Sequence, residues 1–408
     1  MNPFKKAYCR IYQKVFYLAS FFLPFQAKPV YEGDKGIAKM VERLSLRHFR
    51  RPMVVIDPIV EQTGLSAAIL EALVKAKMKV ASFNQVTPNP TLDGALELAY
   101  EYEKKCCDCL IAIGGGSTID LAKAAGIAIV YPKKPLTKFK GVLKVHRRIP
   151  YFVAIPSTAG TGSEATLAAV VVDAKTKDKF QIDDPKLMPD MVLMYPHLLS
   201  QLPPKVVAAT GMDALTHAVE AYIGHSNVFS TRRDALKAVT MIHASLLDFY
   251  ARPSDENKAR EMLFASYYAG RAFTRAYVGY VHALAHGLGG LYNVPHGYAN
   301  AVLLPIVLKA YGKKAWRKLA HLADAIALTP SDYTDQEKAA SFIAHIEKMN
   351  AAMGLPRQFD HLIQEGDLDL LSTRAEKEGN PLYPVPRIMS RQELKTLLKR
   401  SDVTWGVR

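Results

Sequence analysis

Residues 110–120 read Leu-Ile-Ala-Ile-Gly-Gly-Gly-Ser-Thr-Ile-Asp, and this stretch decides the fold. An apolar run of strand length ends at three glycines, and a helical pattern then continues from Ser117 to Ile129. Glycines let backbone amides approach a ligand closely, and the helix that follows offers free N–H groups and the positive end of its dipole. A pyrophosphate would fit this turn. A tight turn capped by Ser117 accounts for the residues equally well, because the spacing is not G-x-G-x-x-G.

The sequence around this stretch alternates short apolar runs with helical stretches. Strands are predicted at residues 53–57, 79–83, 109–113, 151–155, 168–172 and 191–195. Helices are predicted at residues 66–76, 93–104 and 117–129. Strand, helix and strand at this spacing are typical of a parallel sheet with crossover helices. The fold class predicted for this part of the chain is therefore α/β, with a parallel sheet suited to a dinucleotide.

The pattern changes after Pro203-Pro204, where helical periodicity replaces the strand signals. Helices are predicted at residues 206–222, 231–250, 257–277, 280–291, 313–327, 336–353 and 391–399. An α/β part followed by an all-α part places a domain boundary near residue 200. We therefore expect a basic and apolar N-terminal helix extension at 1–28, an α/β domain at 29–200 and an all-helical domain at 201–408.

The net charge of +15 is unevenly distributed along the 408 residues. Residues 1–51 hold eleven Lys or Arg against three Asp or Glu, so +8 of the charge lies there. No basic stripe interleaved with aromatic residues is present, although base stacking and phosphate contacts would need one. We expect no nucleic-acid partner.

The N-terminus resembles a signal peptide, since basic residues precede an apolar run at 15–25. That run is too short to span a bilayer, which takes roughly 20 residues, and no clean small-x-small cleavage site follows it. An amphipathic helix, docked on the protein or in peripheral contact with a membrane surface, is the favoured interpretation, and a cleaved signal remains the alternative.

The four cysteines indicate a reducing compartment. Cys106, Cys107 and Cys109 crowd beside a predicted strand, and adjacent cysteines form a bridge only with strain. We therefore expect reduced thiols. We also expect a cytoplasmic protein, with membrane association as the alternative.

The helical part contains a candidate metal site formed by Asp213, His217, His282 and His296. Asp213 and His217 lie four apart in a helical run, so both side chains can reach one point. His282 and His286 repeat that spacing, and His296 follows. Imidazoles and a carboxylate together suit a divalent transition metal. Other histidines, namely His225, His243 and His321, are interpreted as core residues. Tyr277 and Tyr280 fit a substrate pocket and the core equally well.

Two further segments suit a dinucleotide. The loop at 155–164, Ile-Pro-Ser-Thr-Ala-Gly-Thr-Gly-Ser-Glu, follows a predicted strand and is rich in small hydroxyl residues. It suits phosphate or ribose contacts, and a plain surface turn is the alternative. Asp57, at the end of the first predicted strand, could accept hydrogen bonds from a ribose, or it could simply cap a helix.

These segments together resemble the iron-containing (group III) alcohol dehydrogenase family, from about residue 30 to about 400. The resemblance rests on the motifs at 88–90, 114–117, 157–164, 211–217, 282–297 and 379–381. It implies an α/β dinucleotide-binding domain with a parallel sheet and an all-α C-terminal metal-binding domain, the fold shared with dehydroquinate synthase, with the site in the cleft between them. The sequence departs from the family at its opening segment, 31–36, and at Tyr195-Pro196, where Asp-Pro is usual.

By this resemblance, Asp213, His217, His282 and His296 match the metal ligands, and His286 matches a histidine near the metal and the nicotinamide. The matching cofactor positions are Asp57, Asn89, Gly115, Gly116, Ser117, Asp120, Ser157, Thr158, Thr161 and Lys179. Asp57 favours NAD over NADP, because a 2′-phosphate would meet its carboxylate. The family favours Fe²⁺ as the metal, with Zn²⁺ as the second candidate.

The resemblance implies an oxidoreductase that transfers a hydride between NAD(H) and a small alcohol or aldehyde. The metal would bind the alcohol oxygen, and His286 would relay its proton. The family also implies a homodimer or larger homo-oligomer. The alternatives are a zinc-dependent polyol dehydrogenase, a dehydroquinate-synthase-like lyase, and a catalytically silent, membrane-attached scaffold of the same fold.

Overall fold

The computed structural model describes residues 2–20, 28–174, 176 and 178–405. Within it the chain forms two compact units. The sheet unit consists of Pro24–Leu202 and Pro253–Tyr267, and the helical unit consists of Met1–Leu23, Pro203–Arg252 and Tyr268–Arg408. The predicted apolar run at 15–25 ends outside the described residues.

The sheet unit is built on a six-stranded sheet in which every strand pair is parallel. Its strands, in the spatial order of the sheet, are β1 (Val30–Glu32), β9 (Met191–Met194), β6 (Phe152–Pro156), β4 (Cys109–Gly114), β2 (Pro52–Ile56) and β3 (Ala81–Phe83). Every residue of β2, β4, β6 and β9 is buried. Continuous burial explains why these strands appear in the sequence as unbroken apolar runs rather than alternating ones.

A smaller sheet completes this unit. It contains β5 (Gly141–Val142), β8 (Asp178–Asp183) and β7 (Ala168–Asp173), with β7 and β8 antiparallel. The strand predicted at 168–172 therefore lies in this second sheet and not in the parallel one. A backbone hydrogen bond of 2.9 Å from Val172 N to Pro90 O connects β7 to the loop between β3 and the helix that starts at Leu92.

The helices of the sheet unit alternate with its strands. They are α2 (Gly33–Leu46), α3 (Pro58–Gln62), α4 (Ala67–Lys75), α5 (Leu92–Lys104) and α6 (Gly116–Val130). No helix is predicted from the sequence over α2 or α3. The last of them, α6, is buried on nearly every side, as its almost uniformly apolar sequence indicates.

The helical unit begins with α1 (Pro3–Ser20) and resumes after the sheet unit. Its further helices are α7 (Pro204–Ile223), α8 (Phe229–Ala251), α10 (Tyr280–Tyr292), α11 (His296–Tyr311), α12 (Lys313–Ala325), α13 (Asp335–Ala352), α14 (Leu368–Gly379) and α15 (Arg391–Arg400). Helix α9 (Glu256–Ala276) is divided between the two units after Tyr267. Every strand of the described residues precedes residue 195, so the predicted α/β and all-α fold class is confirmed.

Two further predictions concern the ends and the thiols. Residues Pro3–Ser20 form the predicted N-terminal helix, and it packs on the helical unit. Among the described helices, none is both long and apolar enough to cross a membrane. All four cysteines are free thiols, and Cys109 is fully buried within β4.

Candidate active site

Three helices of the helical unit bring the four predicted metal ligands together. Asp213 and His217 lie one turn apart on α7, His282 lies in the first turn of α10, and His296 is the first residue of α11. One potential ligand atom from each of the four lies within 4.8 Å of all the others. Asp213 Oδ1 lies 3.5 Å from His296 Nε2 and 3.9 Å from His282 Nε2.

These distances suit a single ion. Nitrogen and oxygen ligands bind such ions at about 2.1 Å, so the ligands of a tetrahedral ion lie about 3.4 Å from one another. Burial, followed by the neighbouring imidazoles, holds the pKa of His282 well below 6.5, so its ring stays neutral and keeps a lone pair. The donor set therefore fits a divalent metal.

Asn300 gives an independent indication that the ligand atoms converge. Its amide nitrogen lies 2.7 Å from Asp213 Oδ1, 3.3 Å from His282 Nε2 and 3.2 Å from His296 Nε2. One small group can contact all three only if they point to a common region. Asn300 lies one turn after His296 on α11 and is fully buried. The sequence analysis missed it, although the four-residue spacing from His296 was available.

Close packing of α11 on α7 sets this geometry. A Cβ atom on Gly297 would lie 2.1 Å from the carbonyl oxygen of Ala209, which no real side chain allows. The same Cβ would lie 3.2 Å from Asp213 Cβ. Glycine directly after His296 therefore lets the two helices approach closely enough for their ligands to meet.

Glu220 supports the cluster from behind. Its Oε2 lies 2.6 Å from His282 Nδ1 and accepts the Gly279 N–H at 2.8 Å, while Oε1 accepts the Val281 N–H at 2.9 Å. The carboxylate therefore caps α10 and fixes the ring of His282 with Nε2 towards the cluster. Burial raises the pKa of Glu220 to about 8, and the backbone N–H groups oppose that rise. The sequence analysis did not single out this residue.

His286 lies beside the cluster and has a carboxylate partner of its own. Its ring stacks on that of His296 with centroids 5.1 Å apart, and its Nδ1 lies 2.7 Å from Glu378 Oε1. The same Glu378 oxygen accepts the hydroxyl of Tyr383 at 2.7 Å. Glu378 thus occupies Nδ1 of His286 and leaves Nε2 for another partner.

The sheet unit gathers the candidate dinucleotide residues along one edge. Asp57, the glycine turn and Ser157 follow β2, β4 and β6, which are adjacent parallel strands, so all lie at the carboxyl ends. The chain runs outward from β2 to β3 and, in the opposite direction, from β4 to β6. A reversal of this kind is where open α/β sheets bind their ligands.

Close contacts shape the glycine turn. A Cβ on Gly116 would lie 2.6 Å from both Cγ2 and Oγ1 of Thr161, and a Cβ on Gly115 would lie 3.1 Å from Thr158 Oγ1. The loop at 155–164, called the second loop below, is therefore packed directly against the turn. Gly115 is the N-cap of α6, so the first N–H groups of that helix follow the turn.

The other predicted cofactor residues take varied positions in the sheet unit. Asp57 caps α3 by accepting the Ile59 N–H at 2.9 Å. Ser117 donates to the carbonyl of Pro88, and Lys179 donates to Asn89 Oδ1 at 3.1 Å.

Asp120 is held inside the fold. Its carboxylate accepts the hydroxyl of Ser163 at 2.5 Å and the backbone N–H of Val170 at 3.1 Å. Burial raises the pKa of Asp120, and the charge of Lys123 and these hydrogen bonds oppose that rise. Asp120 therefore positions the second loop.

Lys123 is a buried cation that the sequence analysis missed. Its ammonium donates to the carbonyls of Ser163, Thr166 and Ala168 at 2.7, 2.9 and 2.7 Å. Burial lowers its pKa to about 8, and the nearby carboxylates, with Asp120 first, oppose that fall. One lysine of α6 thus anchors the end of the second loop.

The structure shows where Tyr280 and the three histidines interpreted as core residues lie. Tyr280 is fully buried, and its hydroxyl donates to Asn380 Oδ1 at 2.7 Å, so it belongs to the core. His243 is half-buried and lies 2.9 Å from His345 through their ring nitrogens. The prediction of core positions is wrong for His225 and His321, because both are exposed.

A dinucleotide-type sheet edge and a three-histidine, one-carboxylate cluster define the class of metal-dependent dehydrogenases. Comparison with known proteins agrees. Residues 27–196 match the model of the iron-containing alcohol dehydrogenases, and residues 207–401 match the C-terminal model of the Fe-containing alcohol dehydrogenase family. The chain belongs to the iron-containing alcohol dehydrogenase family.

Individual relatives cover nearly the whole chain. It is 34% identical to the 1,3-propanediol dehydrogenase of Klebsiella pneumoniae, across 90% of this chain and 96% of the relative. It is 31% identical to the NAD-dependent methanol dehydrogenase of Bacillus methanolicus, across 94% and 100%. The crystal structure of a 1,3-propanediol oxidoreductase, 33% identical, superposes with a TM-score of 0.87 over 91% of this chain and 97% of that one. The protein is a metal-dependent alcohol/aldehyde oxidoreductase, and neither the polyol dehydrogenase nor the scaffold alternative is favoured.

Proposed function

We propose that the protein transfers a hydride between NAD(H) and a short-chain alcohol or its aldehyde, with Fe²⁺ held by Asp213, His217, His282 and His296. The observation that carries the proposal is the convergence of these four side chains within 4.8 Å. When bound, the metal supplies a Lewis acid for the substrate oxygen. Two relatives named for small alcohols, 1,3-propanediol and methanol, support the substrate class.

NAD rather than NADP is the proposed cofactor. Asp57 stands at the carboxyl end of β2, next to the turn that follows β4. Asp57 N donates to Ile113 O at 2.9 Å, which holds the backbone of Asp57 beside the residue that precedes the glycines. A 2′-phosphate at this position would meet a negative charge, whereas a ribose hydroxyl would donate to it.

The remaining predicted cofactor contacts fit the same pose. Gly115, Gly116 and Ser117 would present α6 to the pyrophosphate, and Ser157, Thr158 and Thr161 would line its other side. Asn89 and Lys179, which contact each other, would lie at the edge of the same site. Asp120 would act through the loop that it positions.

His286 is proposed to take the proton that leaves the alcohol. Glu378 holds its Nδ1, so Nε2 is the atom that exchanges the proton. Replacing His286 with Ala should lower kcat by about a hundredfold or more, with NADH binding measured by fluorescence unchanged. Full activity in that variant would contradict the relay.

The direct test of the function is absorbance at the NADH band. The protein is freed of metal, reconstituted separately with Fe²⁺ and Zn²⁺, and assayed with short alcohols, diols and aldehydes. We expect turnover with Fe²⁺ and none for Asp213→Ala. Bound NADH without turnover on any substrate would contradict the proposal.

The choice of cofactor has its own test. Asp57→Asn keeps an oxygen that can cap α3, whereas Asp57→Ala removes both charge and cap. Both should lower the preference for NAD over NADP by at least about tenfold, because repulsion of the 2′-phosphate is lost. An unchanged preference in both variants would contradict the role of the carboxylate.

We further propose that the protein is cytoplasmic and works as a homodimer or larger homo-oligomer. The four free thiols are consistent with a reducing compartment. Light scattering of the purified protein would give the number of subunits.

A further inference from the structure

Helix α1 docks on the helical unit through Gln13 and Arg10, beside the buried Cys9 and the ring of Phe16, which lies 5.5 Å from that of Tyr277. Gln13 is 4% exposed, and its amide nitrogen donates to the carbonyls of Pro381 and Tyr383 at 3.1 and 2.7 Å. Arg10 donates to the carbonyls of Val385 and Pro386 at 2.8 and 3.0 Å. These bonds fix which side of the helix faces the protein.

The opposite side of α1 is apolar and exposed. At 100° per residue, the apolar residues of this side fall within one arc of the helix and occur along its whole length. They are Phe4, Tyr8, Ile11, Tyr12, Val15 and Leu18, with exposed fractions of 83%, 58%, 63%, 37%, 62% and 61%. We call this set the outer face of α1.

This orientation is the reverse of the usual one. A helix on the surface of a soluble protein normally buries its apolar side and turns its polar side to water. Here the hydrogen bonds of Gln13 and Arg10 hold their side of α1 against the protein, and most of the large apolar residues of α1 face outward. A contiguous exposed apolar surface marks a contact site, whereas apolar residues scattered singly need no explanation.

The charge around the outer face selects among possible occupants. Residues 1–31 contain five Lys or Arg and neither Asp nor Glu. On the helix, Lys5 and Lys14 project from the two sides of the outer face, and both are exposed. Lys5 also reaches Glu376 at 3.1 Å while its side chain remains 52% exposed. Apolar residues flanked by cations are the pattern of a helix that lies on an anionic bilayer.

A second copy of the chain fits this surface less well. A two-fold contact brings each patch against its own copy, so Lys5 and Lys14 of one copy would lie near those of the other, and α1 contains no Asp or Glu to offset them. The repulsion would not be compensated within the segment. Anionic lipid headgroups, in contrast, neutralise the same cations.

We propose that α1 anchors the protein to the surface of membranes that contain anionic lipids. The helix axis lies in the plane of the bilayer, the outer face enters the boundary between headgroups and acyl chains, and Lys5 and Lys14 contact the headgroups. This anchor is independent of the reaction that the protein catalyses.

Co-sedimentation of the full chain with vesicles tests the proposal. The vesicles are phosphatidylcholine alone, or phosphatidylcholine with about 30% phosphatidylglycerol, a fraction that resembles an anionic leaflet. The variant is Phe4→Glu/Ile11→Glu/Val15→Glu, which places three acids on the outer face and leaves Gln13 and Arg10 in place. We expect the unaltered protein to bind the anionic vesicles, to bind the neutral ones less, and to lose at least about tenfold in partitioning when substituted.

A matched control separates the outer face from a general effect of charge. Leu46→Glu/Val74→Glu/Phe229→Glu changes three equally exposed apolar residues, which are 71%, 62% and 75% exposed, to the same acid elsewhere. This control should sediment like the unaltered protein, and all three proteins should keep the same circular dichroism. Absence of sedimentation by the unaltered protein, or equal losses in both variants, would overturn the proposal. So would a smaller oligomer in the outer-face variant alone, since it would assign the face to a second copy.

Discussion

At the scale of single residues, Glu220 supports the metal cluster without being one of its proposed ligands. The carboxylate holds His282 Nδ1 at 2.6 Å and accepts two N–H groups of α10. A carboxylate behind a ligating imidazole fixes its tautomer and orientation. We predict that Glu220→Gln lowers metal affinity by about 10- to 100-fold, measured by competition with a chromogenic chelator.

The control for Glu220 is Glu365→Gln, which changes an exposed carboxylate in the same unit. It should leave the metal affinity unchanged. If Glu220→Gln bound metal as tightly as the unaltered protein, the orientation of His282 would have to come from packing alone.

The second prediction at this scale concerns the buried ammonium group of Lys123. Its ammonium is the hydrogen-bond donor for three carbonyls at the end of the loop that packs on the glycine turn. Lys123→Met would leave these buried acceptors without that donor. We predict a loss of about 3 kcal/mol or more in the free energy of unfolding, together with a higher KM for the dinucleotide.

Denaturant titration and steady-state kinetics measure the two effects of Lys123→Met. Lys133→Met, at an exposed position on the loop after α6, serves as the comparison and should change neither quantity. A Lys123→Met protein of normal stability would show that water replaces the ammonium without cost.

Local spacing explains which residues of the site the sequence predicted. Asp213 and His217 are one helical turn apart, so their meeting point follows from the helix alone. Glu220 meets His282 across 62 positions and Lys123 meets Ser163 across 40, so only the packed structure brings them together. Without a local motif, such partners have no signature in the sequence.

At the scale of elements, a histidine pair joins α8 to α13. His243 Nδ1 lies 2.9 Å from His345 Nε2. Burial, followed by the charges of His243 and Lys348, lowers the pKa of His345 from 6.5 to about 4. Two imidazolium rings cannot share this contact, so at least one stays neutral in the folded protein.

The pH dependence follows from this shift. Between pH 6.5 and about 4 the unfolded chain protonates His345 while the folded chain does not, so the unfolded state binds more protons. The contribution of His345 to stability is therefore fully present above pH 6.5 and is lost as the pH falls towards about 4. We predict that His345→Gln makes the free energy of unfolding fall less steeply with decreasing pH in this window.

Denaturant titrations at several pH values measure this slope. His321→Gln, which alters an exposed histidine, should retain the slope of the unaltered protein. An identical slope for His345→Gln would show that folding does not change the pKa of His345.

Helix α11 and strands β1 and β5, which the sequence did not predict, lack a recognisable pattern for physical reasons. Helix α11 is buried on nearly every side and contains Pro305, so neither an amphipathic period nor an unbroken pattern marks it. Strands β1 and β5 have three and two residues, too few for a periodic signal. The buried strands β2 and β4, in contrast, were evident as apolar runs that end at an acid and at glycines.

At the scale of the whole molecule, the proposed residues for the metal and those for the dinucleotide belong to different units. All four proposed metal ligands lie in the helical unit, whereas the glycine turn and its loops lie in the sheet unit. We predict that metal at 100 times its Kd slows hydrogen exchange in α7, α10 and α11 by up to about a hundredfold, since binding then stabilises by about 2.7 kcal/mol. NAD should protect the segment from β4 to α6 instead.

Hydrogen exchange with mass spectrometry resolves the two patterns. Asp213→Ala provides the comparison, because it should lose the protection by metal and keep the protection by NAD. Equal protection of both units by metal alone would show that the ion acts beyond the unit that holds its ligands.

The docking of α1 also has a consequence in time. Residues 3–20 are synthesised long before their partners at 376–386, which supply the carbonyls and the carboxylate that hold the helix. At about 5–20 residues per second, the ribosome needs roughly 20–70 s to make the chain between them. Throughout that interval neither side of α1 has its final contacts, so the nascent chain exposes this helix for most of its synthesis.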